Sequence, residues 1–313
     1  MNRKIILPML ALVLAALACQ AQGTATLAAV PTSVQPTDSP IPPTATAVPV
    51  TPIPASLTLD MLRNGTYYSS YYKRTVTLVN GAYSEGSGSD QYSVQMLDMV
   101  AFGDLNGDGF GDAAILLVEN SGGTGEFESV VAILNKEGAP SQAGQAGLGD
   151  RVKLNAMAIN AGMLVLDMLV QGPNDPMCCP SLPETQSFRV VGNALWLAQL
   201  TSLTPDAHKR SININTPAEA ASVTNPFTIN GRLTIAPFEN TLTYRVSLPD
   251  GTRLNESTLT VDSGGVAGGP GTFSQNFDLS NAGITGPVIF QFLDLSAADG
   301  STLALGSVVL TVH

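Results

Sequence analysis

Asn240–Leu254, NTLTYRVSLPDGTRL, decides how the C-terminal third of the chain folds. Tyr244, Val246 and Leu248 fall on one side of an extended chain and Arg245 and Ser247 on the other, the period of two that a half-buried strand requires. Pro249-Asp250-Gly251 then supplies turn chemistry, with a proline that fixes φ and a glycine free to take positive φ, so the strand reverses. Working outward, SININTP, NPFTINGRL, GTFSQNFDLS, GPVIFQFLDLSAADGS and TLALGSVVLTVH repeat the pattern. About seven short strands at this spacing predict an antiparallel β-sandwich over residues 210–313.

These residues also resemble a known family. INTPAEAASVTNPFTINGR, NTLTYRV, GTFSQNFDL and LDLSAADGS followed by VVLTV are similar to the Gmad2 domain, the immunoglobulin-like domain first described in bacterial spore-germination proteins. The resemblance implies an extracellular or envelope-facing sandwich without known catalytic residues, often joined to other modules.

Upstream, residues 57–203 alternate apolar stretches with turn signals: RTVTLVNGAYS, YSVQMLDMVAFGD, AAILLVENSGG, FESVVAILNKEG, DRVKLNAMAINAGMLVLDMLVQG and SFRVVGNALWLAQL. Val79-Asn80-Gly81 and Val191-Gly192-Asn193 are placed as hairpin turns. LTLDMLRNG is the one short helical candidate. The fold class expected is therefore mainly β: a middle domain that is β-rich or α+β, a polar linker at 204–209, and the immunoglobulin-like sandwich.

The N-terminus reads as an export signal. Arg3 and Lys4 precede about 14 apolar residues, Ile5 to Ala18, too few to span a bilayer as a helix. Ala16-Leu17-Ala18-Cys19 resembles a bacterial lipobox, which makes residues 1–18 a signal peptide and Cys19 the lipidated first residue of the mature chain. The same Ala-x-Ala also satisfies ordinary secretion. Residues 19–56 are Pro, Thr and Ala with Asp38 as the lone charge, a composition that buries too little apolar surface to fold and so predicts a tether. With 14 Lys+Arg against 25 Asp+Glu, the net charge of −11 excludes a nucleic-acid partner and a polybasic membrane patch.

Between VAF and AAILLV lies DLNGDGFGD, Asp104 to Asp112. Asp104, Asn106, Asp108 and Asp112, with the Phe110 carbonyl, place oxygens in the order of a calcium loop, and Gly109 permits the tight turn. Position twelve is Ile115 rather than glutamate, so this is no EF-hand. The arrangement resembles the Asp-rich loops of FG-GAP repeats, although one copy excludes a propeller. Calcium in a structural role is the expectation, and a turn that binds nothing is the alternative.

Cys178 and Cys179 are adjacent in GPNDPMCCPS, without the two intervening residues of a redox motif. Buried thiols or a turn-locking bridge are the structural readings, redox or metal chemistry the functional one. Histidine is limited to His208 and His313, so neither domain has one for a catalytic triad or a zinc site. Asp150, Asp167 and Asp175 remain for carboxylate chemistry. The YYSSYY run, Tyr67–Tyr72, is either a stacking face for a glycan or ordinary packing. Together these readings predict a non-catalytic, lipid-anchored, extracytoplasmic binding or structural module, its partner an envelope protein or a glycan. A carboxylate-dependent hydrolase and a redox-responsive protein are the rivals.

Overall fold

The computed structural model describes residues 55–313; the signal, Cys19 and the tether as far as residue 54 lie outside the described residues. The chain is mainly β. After a short helix α1 (Leu59–Arg63), capped by the Thr58 hydroxyl accepting from Met61 N, come β1 (Thr66–Ser69) and β2 (Arg74–Thr77), paired as a hairpin.

The next five strands are β3 (Ala82–Glu85), β4 (Tyr92–Gly103), β5 (Asp112–Asn120), β6 (Phe127–Lys136) and β7 (Ala139–Asp150). They form an antiparallel sheet in chain order. Its centre is covered on both faces. Ala113, Ile115, Leu117, Val131 and Ile133 point to a core with Leu62, Tyr67, Val76 and Tyr92 from α1, the β1–β2 hairpin and β4. Ala114, Leu116, Val130, Ala132 and Leu134 point the other way, against Leu164, Leu166, Met168 and Phe188. That is why AAILLV and SVVAIL read as unbroken apolar runs rather than alternating ones.

The second face belongs to β8 (Lys153–Asn160), β9 (Met163–Val170), β10 (Leu182–Val191) and β11 (Ala194–Leu203). Asn80-Gly81 and Gly192-Asn193 make the expected turns, with φ of 52° and 88° at the first pair and 63° at Gly192. One further turn was hidden in DRVKLNAMAINAGMLVLDMLVQG, which forms two strands. Ala161 (φ 49°) and Gly162 (φ 76°) reverse the chain between Asn160 and Met163. Alanine at a left-handed position gives no turn signal, and only its neighbouring glycine marks the place.

The C-terminal part comprises β12 (Lys209–Arg210), β13 (Ile212–Thr216), β14 (Ser222–Val223), β15 (Phe227–Leu233), β16 (Thr241–Ser247), β17 (Arg253–Thr260), β18 (Gly271–Phe277), β19 (Gly286–Leu295) and β20 (Thr302–Val312). It is an immunoglobulin-like sandwich. β17-β16-β19-β20 face β13-β15-β18 across a core with Phe227, Phe273, Phe277, Phe290 and Phe292 at its centre. Phe277 meets Tyr244 and Phe290 edge-on, with centroids 5.3 and 4.9 Å apart, the arrangement ring quadrupoles favour.

The two parts share a sheet. β11 pairs with β20 through Gln199↔Gly306 and Leu200↔Leu305, so hydrogen bonding runs unbroken from β17 to β8. Leu200, Leu293 and Leu305 bury a small core at the seam. Residues 204–208 of the expected linker are a tight turn, with Thr204 N bonded to His208 O at 2.9 Å, and Lys209–Arg210 returns along β11.

Candidate functional site

At this seam the chain ends of several strands leave two adjacent hollows. One, of about 550 Å³, is walled by the 235–240 segment, Ala267, Gly268 and the β19–β20 loop from Leu295 to Ala298. Pro237 sends the chain into Glu239 and Asn240, both at φ 54°, and this turn holds Phe238 outward, 67% exposed. The other, of about 660 Å³, is walled by Gly172–Asp175, Ser181–Pro183 and the β11–β12 turn.

Arg210 and Leu303 line both hollows and so make them one groove with a central partition. Arg210 Nη1 donates to Asp294 Oδ2 at 2.5 Å. Asp294 is 1% exposed, and its Oδ1 has no partner among the described residues. Burial pushes the Asp294 carboxyl up, and the Arg210 guanidinium offsets this only in part. Among the described residues no second acceptor meets the Arg210 guanidinium, which lines both hollows. Neither histidine nor cysteine lines the groove, and its walls are mostly aliphatic.

The Asp-rich loop joins β4 to β5, away from these walls. Asp104 accepts from the backbone N–H of Asn106, Gly107 and Gly109 at 2.7 to 3.2 Å, and Asp108 accepts from Phe110 N at 2.8 Å and Asn106 Nδ2 at 2.8 Å. Those bonds hold the Asp108 carboxyl below its ordinary range, with the Phe110 amide contributing most. Asp112 is fully buried. Its two oxygens accept from Leu105 N and Asn135 N, each at 2.8 Å, so it pins the loop to the end of β6. Burial raises its pKa, and the charges of Asp108 and Asp104 add to the rise. The donor set is all oxygen, the kind calcium takes. No group of three or more His, Cys, Asp or Glu is gathered as a metal cluster among the described residues.

Cys178 and Cys179 are exposed and joined to each other by a disulfide, which overturns the reading as buried thiols.

Residues 211–301 match the family model of Gmad2, the immunoglobulin-like domain of bacterial spore germination. The match covers a little under a third of the chain and stops just before β20, the strand that pairs with both β19 and β11. Arg210 and Leu303 therefore flank the Gmad2 segment, which supplies the rest of the first hollow, while the middle domain supplies most of the second. No curated protein and no solved structure gives a significant match to the chain.

The carboxylates named from sequence are dispersed. Asp150 accepts from Glu126 N at 2.8 Å and pairs with Arg151 at 3.1 Å, Asp167 is exposed on β9, and Asp175 is taken up by three hydrogen bonds within its own loop. The tyrosine run mostly packs. Tyr67 is buried with its hydroxyl on Leu62 O at 2.6 Å, Tyr72 stands edge-on to Tyr92, and Tyr71 lies against Phe127. Sequence reading missed the pair formed by Arg210, just before the Gmad2 segment, and Asp294 within it. An aspartate in the apolar run VIFQFLDL was the available signal, because a carboxylate at a buried strand position requires a partner.

Proposed function

We propose that the folded part is a non-catalytic binding module, held on the outer side of a membrane by lipid on Cys19, and that the groove is its ligand site. The observation that carries this reading is the pairing of two aliphatic hollows around one partly free guanidinium. Such a surface suits an extended apolar chain bearing a carboxylate, with the acid on Arg210 and apolar groups on either side of Leu303. The three hydrogen bonds that occupy Asp175, the burial of Asp294 against Arg210, and walls without histidine or cysteine support binding over hydrolysis. The Gmad2 match supports a binding or structural role in the same coarse sense. The Asp-rich loop enters as a structural calcium site, in which Asp104, Asn106, Asp108, the Phe110 carbonyl and Asp112 hold the ion and the ion neutralises their charge.

The test is a backbone amide titration of residues 55–313 with short apolar peptides carrying either a free or an amidated C-terminus. Shifts at Leu303, Ala297 and Phe238 are expected with the free acid and not with the amide. Ala297→Trp, which fills the first hollow from an exposed position, is expected to abolish them. Binding that survives Ala297→Trp, or that ignores the carboxylate, refutes the reading.

A further inference from the structure

Residues 171–181, which join β9 to β10, are shaped without help from their cysteines. Asp175 accepts from Gly172 N, Ser181 N and Ser181 Oγ, each at 2.7 Å, which ties the two ends of the loop together. Gln171 Nε2 donates to Pro176 O at 2.6 Å, and Cys179 N to the same carbonyl at 2.9 Å. The Cys178–Cys179 bridge joins neighbouring residues in the second half of the loop and encloses no residue between its ends.

A disulfide stabilises mainly by withdrawing loop-closure entropy from the unfolded chain, and that effect shrinks with the number of residues enclosed. Here it is at its minimum, and the loop is already closed by Asp175. The bridge therefore contributes little as a staple. Its setting suits reaction instead. Both cysteines are exposed, Met177 beside them is 66% exposed, and the Arg151 guanidinium, although paired with Asp150 at 3.1 Å, reaches the Met177 carbonyl at 3.4 Å and so places a cationic group at the residue before Cys178. Accessible bonds between unburied sulfurs are the ones that exchange, and a nearby cation stabilises the thiolate that leaves.

We infer that Cys178–Cys179 is a thiol–disulfide exchange site that takes dithiols as its partners. The thiolate of the dithiol attacks one cysteine sulfur and forms a mixed disulfide. The Cys178–Cys179 bond breaks, and its electron pair leaves on the other sulfur, which takes up a proton. The second thiolate of the dithiol then attacks its own sulfur in the mixed disulfide and releases the first cysteine. Two electrons and two protons pass from the dithiol, which becomes a cyclic or intramolecular disulfide, to the two cysteines.

The experiment treats residues 55–313, which carry no cysteine besides Cys178 and Cys179, with about 1 mM dithiothreitol, a dithiol that reduces accessible bonds by this route, then traps thiols with a maleimide and reads the intact mass. Two adducts per chain without denaturant are expected, and reoxidation should remove both. The melting temperature of the reduced protein, and of the Cys178→Ala/Cys179→Ala variant, should match that of the oxidised protein. Labelling that requires denaturant would overturn the inference, as would a marked fall in melting temperature on reduction, which would make the bridge a staple. Two free thiols in the air-exposed protein that a disulfide-forming oxidant fails to join would overturn it as well. Arg151→Gln is expected to slow the reduction severalfold while Arg151→Lys keeps the rate, a difference that a purely structural role for Arg151 would not give.

Discussion

Arg210 and Asp294 form an ion pair beside the seam of the molecule, one on the returning strand β12 and the other near the end of β19. With Asp294 1% exposed, the pair behaves as a buried one: its formation gains little over an apolar contact, but removal of one partner strands a charge. Arg210→Ala is expected to lower stability by about 3–5 kcal/mol, whereas Arg210→Met with Asp294→Leu restores most of the loss. Urea unfolding of the three proteins checks this, and a double variant as unstable as the single one would disprove it.

The seam also sets what the C-terminal part does alone. Residues 210–313 contain both sheets of the sandwich and its aromatic core, so the fragment is expected to unfold cooperatively. Without β11, however, β20 loses the partner of Leu305 and Gly306, and β14 covers only Thr311 and Val312 on β20. An unpaired strand edge invites pairing with another copy. The fragment should therefore self-associate as concentration rises, where residues 55–313 stay unchanged, and sedimentation of both distinguishes the outcomes. A broad, non-cooperative melt would show instead that the sandwich depends on β11.

How far all this was legible in the sequence depends on the range of the interactions. YRVSLPDG and its neighbours state their strands locally through period two and turn residues, and β16 and β17 formed where they were expected. The two-sided burial of β5 was legible too, since AAILLV leaves no polar face. The β11–β20 pairing was not, because it joins residues about a hundred apart and is written in no local pattern. For the same reason the groove was invisible: Arg210 stood at the first position of the sandwich, next to the stretch read as linker, and its partner Asp294 lies 84 positions later. Asp112 illustrates a third limit. Its place in a calcium-type spacing was plain, but its two backbone bonds arise from the approach of β6, which spacing does not encode.

Glu128 on β6 gives a pH prediction. Burial, with the charges of Glu126 and Asp150 adding to it, pushes its carboxyl from an ordinary value of 4.5 to about 7. A carboxyl raised in the folded state binds its proton there more tightly than in the unfolded chain, so stability is full below the unfolded value and is lost as pH rises toward the folded one. The melting temperature should fall as pH rises from 4.5 to about 7, the span of the two values. Glu128→Gln, neutral throughout, should flatten that slope, and a slope unchanged in the variant would dismiss the assignment.

Cys19 tests the anchor. If acyl chains on this residue hold the protein at the membrane, attachment needs no apolar segment once the signal is cleaved. Cys19→Ser is expected to shift the protein from the membrane fraction to the medium or periplasm. Continued sedimentation of the variant with membranes would rule out lipidation at this position.

The Asp-rich loop carries the last prediction. Asp104 and Asp108 hold their carboxylates within a run of five residues, and Asp112 is buried behind them, so like charges accumulate in one turn. A divalent cation there removes the repulsion and ties β4 to β5, which predicts stabilisation rather than chemistry. Outside a cell, dissociation constants of about 10⁻⁴ to 10⁻³ M suffice for occupancy. At calcium a hundredfold above the constant, mass action adds about 2.7 kcal/mol, or roughly 5 to 10 °C for a body of this size. Magnesium, which demands tighter octahedral geometry, should give less. Asp108→Ala removes an exposed ligand without opening the core, and should abolish the calcium response while leaving the chelator-treated melting temperature nearly unchanged. Asp112→Ala differs in kind, because it strands the amides of Leu105 and Asn135 and should cost about 2–5 kcal/mol with calcium or without it. If the melting temperature of residues 55–313 ignores calcium up to about 10 mM, well above the weakest constant expected, the loop is a turn that Asp112 alone secures.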